Sequence, residues 1–360
     1  MAVTTAAGIR ASSALAAARL TGGRWLATMA VLSAVCLLTL LTCLQFGVER
    51  IGLADMVTIL ARALRPSETT GDAIPAQVIL LQIRLPRILL GFLVGGCLAA
   101  VGVGLQAFLR NPLADPYVLG VSSGAALGAA VAILLKLDAL APGLVPASAF
   151  TGSLLSLLAL YRIAASYGHL PVHTLLLGGV IINALCSALI MFVTSLVDPA
   201  QAFRIIAWLM GALSSPDYAT LGGLAAYLAI GGALLFRQAF ALNVLTLGED
   251  SARSLGVEVE RVKRILFFVT ALLSGAVVTA SGLIGFVGMV VPHAVRMVVG
   301  ADHRLLMPAS ALAGGALLAA ADTVARMILA PAELPVGVVT ALIGAPFFLY
   351  LLMARKGDAA

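Results

Sequence analysis

This 360-residue chain has little charge. Asp, Glu, Lys and Arg make up 11% of it and apolar residues 61%, against about a quarter and about a half in soluble domains. Too few polar side chains remain to cover a water-facing surface, so a soluble domain is excluded. Cysteine is also scarce. Cys36, Cys43, Cys97 and Cys186 all lie in apolar runs, which favours small core residues over disulfides or metal ligands. No Walker-type glycine loop, nucleophile–base pair or paired carboxylates are present, so the chain lacks carriers for ATP hydrolysis or acid–base chemistry. The apolar runs hold almost no ionisable groups. That counts against an ion-coupled secondary transporter, which keeps such groups at a midplane site. The net charge of +6 reads through loop topology and is not a nucleic-acid signal.

What the chain does contain is a series of apolar runs near the ~20 residues a bilayer core requires. They lie near 25–46, 88–109, 117–135, 146–165, 174–196, 218–236, 265–281, 284–299, 306–328 and 335–353. The expected fold class is therefore an all-α polytopic membrane protein with ten transmembrane helices. A basic tail covers 1–24, one transmembrane domain 25–354 with a charged loop at 238–264, and a short tail 355–360. With the N-terminus inside, 14 of the 22 Lys and Arg residues face the cytoplasm and 8 face outward. The positive-inside rule therefore puts both termini and the 238–264 loop in the cytoplasm of a cell-membrane protein. The boundary near Ser281 and Gly282 is the least well marked. The outer segment 48–87 reads as a turn-rich loop around Pro66–Gly71. The stretch 199–213, with Arg204 and Trp208, suggests a short interfacial helix.

Within the charged loop, residues 248–256 read as a short helix. Gly248 opens it, Glu249 and Asp250 occupy the first turn where negative charge is favoured, Arg253 follows, and Gly256 closes it. Ala252 and Leu255, three apart, are expected to share one face as an apolar knob for a groove on a soluble partner. An ordinary solvated loop is the plainer alternative.

Several other features carry weight. Gly95, Gly102, Pro112 and Gly120 match Gly275, Gly282, Pro292 and Gly300 at an offset of 180, either as an inverted repeat or as coincidence in a chain with 36 glycines. Gly91, Gly95, Gly96, Gly102 and Gly104 suit close helix approach in lipid. Arg84 and Arg87 flank Pro86 and would form an outward basic patch, or snorkel to lipid phosphate. Asn111, Pro112 and Pro116 form a rigid turn. His293 is a lone histidine without a partner at ligand spacing, and His169 and His173 read as loop residues, so no metal site is expected. Asp322 is the one acid near the membrane core, one helical turn from Arg326.

Taken in order, these motifs resemble the permease family that imports iron chelates and cobalamin through ATP-binding-cassette transporters. The matching residues are Arg84/Pro86/Arg87, Gly95/Leu98/Ala99/Gly102, Asn111/Pro112/Leu113/Ala114/Pro116/Leu119/Gly120/Gly124/Ala125 and Gly248/Ala252/Leu255/Gly256. Further matches are Gly285–Gly288, Val291–His293, Asp302–Arg304, Asp322–Arg326 and Glu333–Gly337. The resemblance runs from about residue 30 to the C-terminus. It implies the type II importer permease fold, a homodimer with its path at the subunit interface, two ATP-binding subunits inside and a substrate-binding protein outside. ATP and magnesium would be bound by the partner ATPase, and this subunit would carry no cofactor. Gly248, Glu249, Ala252, Arg253, Leu255 and Gly256 would form the ATPase-coupling helix. Arg84, Arg87 and Arg326 would dock the binding protein. The cargo would be haem, a ferric siderophore or cobalamin.

Overall fold

The computed structural model describes residues 21–47, 49–63, 75–141, 143–165 and 169–357. The Pro66–Gly71 turn and most of the N-terminal tail, with Arg10 and Arg19, lie outside the described residues. The helices, in chain order, are α1 Gly22–Gln45, α2 Leu53–Ala63, α3 Pro75–Phe108, α4 Val121–Leu134, α5 Leu144–Ala164, α6 Val172–Leu196, α7 Pro199–Leu209 and α8 Tyr218–Arg237. They continue as α9 Ala239–Leu245, α10 Glu249–Ser254, α11 Val259–Ser281, α12 Val287–Val299, α13 His303–Ile328 and α14 Val336–Gly357. Among the described residues, seven of these are long and apolar enough to cross a membrane, and α4, α12 and the apolar part of α14 are shorter. Each of the ten expected apolar runs overlaps one of these helices, although 117–135 is broken at Gly120 and α12 begins three residues into 284–299. Helix α2 was not expected, because its amphipathic pattern sits inside a segment that turn residues marked as loop.

Helix α3 is the hub. It is the most deeply buried of the long apolar helices and has its most extensive contact with α13. That approach depends on glycine. A Cβ at Gly95 would lie 2.2 Å from the Gly314 carbonyl oxygen of α13, and α3 is equally close to α12, where one at Gly102 would lie 1.8 Å from the Gly288 carbonyl oxygen. Side chains there would push the backbones apart, and close backbone contact is the main attraction available between helices in lipid. At the outer rim of this packing α1 and α6 present Leu38, Leu177, Ile181 and Leu185 outward, as lipid-facing helices do.

Helix α3 carries a π-helical stretch at Ile79–Arg84. Pro86 has no N–H and would leave a gap in a regular ladder. The Leu85 N–H instead bonds the Leu80 carbonyl, a one-residue bulge that rotates the side chains before it.

Between α11 and α12 the chain turns at Gly282, with φ of 67°, and Phe286, with φ of 69°, which marks the boundary that periodicity left vague. The offset of 180 residues is kept at two of its four pairs, Gly95 and Gly275 both lying inside helices and Gly120 and Gly300 both taking a positive φ, and not at the other two. Gly102 sits inside a helix while Gly282 is in the left-handed region, and Pro112 lies in a turn while Pro292 is inside α12. His173 belongs to the first turn of α6 and not to a loop. Helix α7 forms within the 199–213 stretch where a short helix was expected, and ends at Leu209. Asp198 caps it by accepting from the Gln201 N–H at 2.8 Å, and Arg204 pairs with Asp138 at 2.5 Å.

Candidate functional site

The bundle has two ends, and each concentrates charge. Helix α10 marks one of them. Gly248 precedes it with φ of 115° and Gly256 follows it with φ of 82°, values an L side chain adopts only under strain. The Gly256 N–H bonds the Arg253 carbonyl at 3.0 Å and the Val257 N–H bonds that of Ala252 at 2.9 Å. This is a Schellman closure, which satisfies two carbonyls that a helix of only six residues would otherwise leave open.

The expected knob is half right. Leu255 is 64% exposed, but Ala252 is fully buried. Leu255 is the cap residue, where the chain leaves the helical path, so it diverges from the inward face that Ala252 occupies. Leu247, 68% exposed, was missed, because it precedes the helix, where helical spacing does not apply.

Lys263 of α11 holds α10 in place. Its Nζ lies 2.7 Å from Glu249 Oε1 and 3.2 Å from Glu260 Oε1, and its side chain is almost wholly buried. Glu249 also meets Arg253 at 3.2 Å and Arg110 at 3.8 Å. Glu260 accepts from the Leu170 N–H at 3.0 Å, and His169 lies 3.6 Å from it. These groups surround a cleft of about 460 Å³. Glu260 and Lys263 are one turn apart in sequence and so were legible as a pair. The bridge from Glu249 to Lys263 crosses the Gly256 turn and follows no sequence period.

The proline turn abuts this end. Asn111 Oδ1 accepts from the Leu113 N–H at 2.9 Å, and Pro116 opens a 3-10 turn capped by Asp115, which accepts from the Tyr117 N–H at 3.0 Å. Pro112 occupies the bend between them. Burial pushes the Asp115 carboxyl up to about 6 despite that hydrogen bond. Arg110 takes a left-handed φ of 48° where the turn leaves α3. The Asp302–Arg304 motif ties α9 to α13. Asn243 donates to Asp302 at 2.8 Å and accepts from the His303 N–H at 2.9 Å. Arg304 hydrogen bonds hold the Asp302 carboxyl down to about 2.

At the opposite end stand the three arginines. They do not form an outward basic patch. Arg84 is buried at 3% exposure and donates to the carbonyls of Leu44 at 3.0 Å and Gln45 at 3.3 Å, and to that of Glu49. Arg87 grips Asp322 with two parallel bonds of 3.0 Å and reaches Glu333 at 2.9 Å. Arg326 is buried and donates to Asp322 at 3.2 Å. The close packing of α3 against α13 and the carbonyls at and after the end of α1 hold these groups inward. Among the described residues, half-exposed Glu333 is where this network most reaches the surface.

An all-helical bundle with long apolar helices and charge confined to its two ends defines a polytopic membrane protein. This chain belongs to the FecCD transport family, whose profile matches residues 34–354. It is 50% identical over 282 residues to the cobalamin import system permease protein of Halobacterium salinarum, covering 78% of this chain and 75% of that one. It is 44% identical over 279 residues to the hemin transport system permease protein of Yersinia pestis, covering 77% and 83%. A solved inward-facing structure described as of the metal-chelate ABC transporter type superposes with a TM-score of 0.78 at 30% identity, covering 91% of this chain and 99% of that one.

Proposed function

We propose that this chain is the membrane-spanning permease subunit of an ATP-binding-cassette importer for cobalamin, haem or another iron chelate. Two copies line the path, a substrate-binding protein delivers the cargo from outside, and a pair of ATP-binding subunits drives transport from the cytoplasm. The observation that carries the coupling half of this reading is α10, a six-residue helix closed by two left-handed glycines. It presents Leu247 and Leu255 outward and is fastened from behind by a buried lysine. A short rigid lever with an apolar tip transmits force between two proteins better than a mobile loop. The α10 end faces the cytoplasm in this reading, as the distribution of Lys and Arg requires.

At the outer end, Arg87 with Glu333 is the group that meets the binding protein, while Arg84 and Arg326 brace it from beneath. The test is uptake in proteoliposomes. Uptake that requires ATP, the ATPase subunit and a loaded binding protein supports the reading. Uptake driven by an ion gradient alone would return the chain to the secondary-transporter class. Copurifying the binding protein and measuring which chelate it retains identifies the cargo.

A further inference from the structure

Beside α10, on the side away from Lys263, the end of α8 and the first half of α11 enclose a groove of about 670 Å³. Arg237, Arg261 and Arg264 ring its mouth, with Glu258 as the one opposing carboxylate. These arginines are only lightly engaged. Arg261 lies 3.5 Å from Glu258, Arg264 donates to the Glu260 carbonyl at 3.4 Å, and Arg237 makes no ion pair among the described residues. Gly256 borders the mouth, and a Cβ there would meet nothing within 4 Å, so the entrance is open.

Below the mouth the walls become apolar. Ile265, Phe268 and Val269 continue along α11, and Leu234 faces them from α8. Residues 261, 264, 265 and 268 are spaced by three and four, so one stripe of α11 changes from basic to apolar along its length. From Arg261 to Val269 that stripe descends about 12 Å.

We infer that this groove binds an anionic phospholipid, with its phosphate among Arg237, Arg261 and Arg264 and an acyl chain along Ile265, Phe268 and Leu234. The excess of guanidinium over carboxylate selects a negative headgroup. The continuous apolar floor selects a lipid over a free anion, because a soluble phosphate leaves that surface uncovered. An acidic segment of a soluble partner fits the mouth but not a floor running along two membrane-crossing helices. The assignment rests on the proposed function only for the cytoplasmic leaflet and, in one arm of the test, for the ATPase subunit.

The test is native mass spectrometry of the purified permease presented with phosphatidylglycerol or phosphatidylcholine. Wild type is expected to retain phosphatidylglycerol over phosphatidylcholine. Replacing Arg237, Arg261 and Arg264 with Gln is expected to weaken retention about fivefold for each arginine removed. Val269→Trp, which fills the floor and leaves the charges intact, should weaken it as well. Arg162→Gln, at the same end of α5, should not. Equal retention of the two lipids, or full retention by the triple variant, would overturn the assignment. So would displacement by millimolar inorganic phosphate, which marks a free-anion site, or release on assembly with the ATPase subunit, which hands the groove to that partner. None of these readouts depends on transport, so failure here leaves the importer reading untouched.

Discussion

At one end of the bundle a single acid, Asp322, sits between two guanidinium groups at 3.0 and 3.2 Å. At the other a single base, Lys263, sits between two carboxylates at 2.7 and 3.2 Å. The two centres mirror each other with the charges exchanged, and each is extended, by Glu333 on Arg87 and by Arg110 and Arg253 on Glu249, but their surroundings differ. Asp322 joins α3 to α13, two long helices that bury each other, and both its arginines are largely enclosed. Lys263 is equally enclosed, but its carboxylates Glu249 and Glu260 are about a quarter exposed and border an open cleft. The first cluster is dry around Asp322, with Glu333 at its rim, and locks the helical framework. The second is wet on one side and fastens a small helix that a partner can push. In a low-dielectric setting a paired charge stabilises only while its partner is present, and removing one member leaves a costly orphan. Near water the orphan is solvated and the loss is smaller.

The largest expected effect comes from breaking the dry cluster. Asp322→Ala takes the carboxylate from buried Arg326 and leaves Arg87 with Glu333 alone, and should destabilise the protein by about 3–5 kcal/mol, the range for an uncompensated buried charge. Thermal unfolding in detergent would read this as loss of folded protein or a large drop in Tm. Little change would place water in the cluster and erase the contrast. Lys263→Ala should cost less, about 1.5–3 kcal/mol, because Glu249 and Glu260 can turn to solvent. It should also loosen α10, seen as faster amide exchange at Ala252 and Val257. Slow exchange there would mean that the glycine closures alone hold the helix.

Leu255→Asp should leave Tm unchanged, since Leu255 contributes nothing to the core. Uptake, however, should fall about thirtyfold while ATP turnover persists, the scale of losing an interface hot spot. Normal coupled uptake would remove Leu255 from the proposed interface. Arg253→Ala should have the smallest effect. Its partners lie on one exposed helix face, and such pairs contribute little that is measurable. A marked loss of uptake without loss of Tm would instead give Arg253 a direct role with the partner.

The parts of this site legible beforehand were those set by neighbours in sequence. Gly248 and Gly256 mark helix ends because only glycine enters the left-handed region freely, and Asp322 with Arg326 forms a pair because helical residues four apart meet. The clusters themselves were not legible. Arg87 and Asp322 are separated by 235 positions, and no local rule links them. The outward reading of Arg84 and Arg87 failed for the same reason. Their position near a helix end is a property of the sequence, but the carbonyls and carboxylate that turn them inward belong to other helices.

The sequence by itself determined the solvent, the long apolar helices and the family. Scarce charge and runs of about 20 apolar residues leave helices in lipid as the only way to satisfy the backbone. Tertiary structure alone decided that Ala252 faces in while Leu255 faces out, and that one lysine and one aspartate each hold two opposite charges. Side-chain direction at a cap, and contact between distant segments, depend on where whole helices come to rest. Helix packing, unlike helix formation, is not encoded within any single turn.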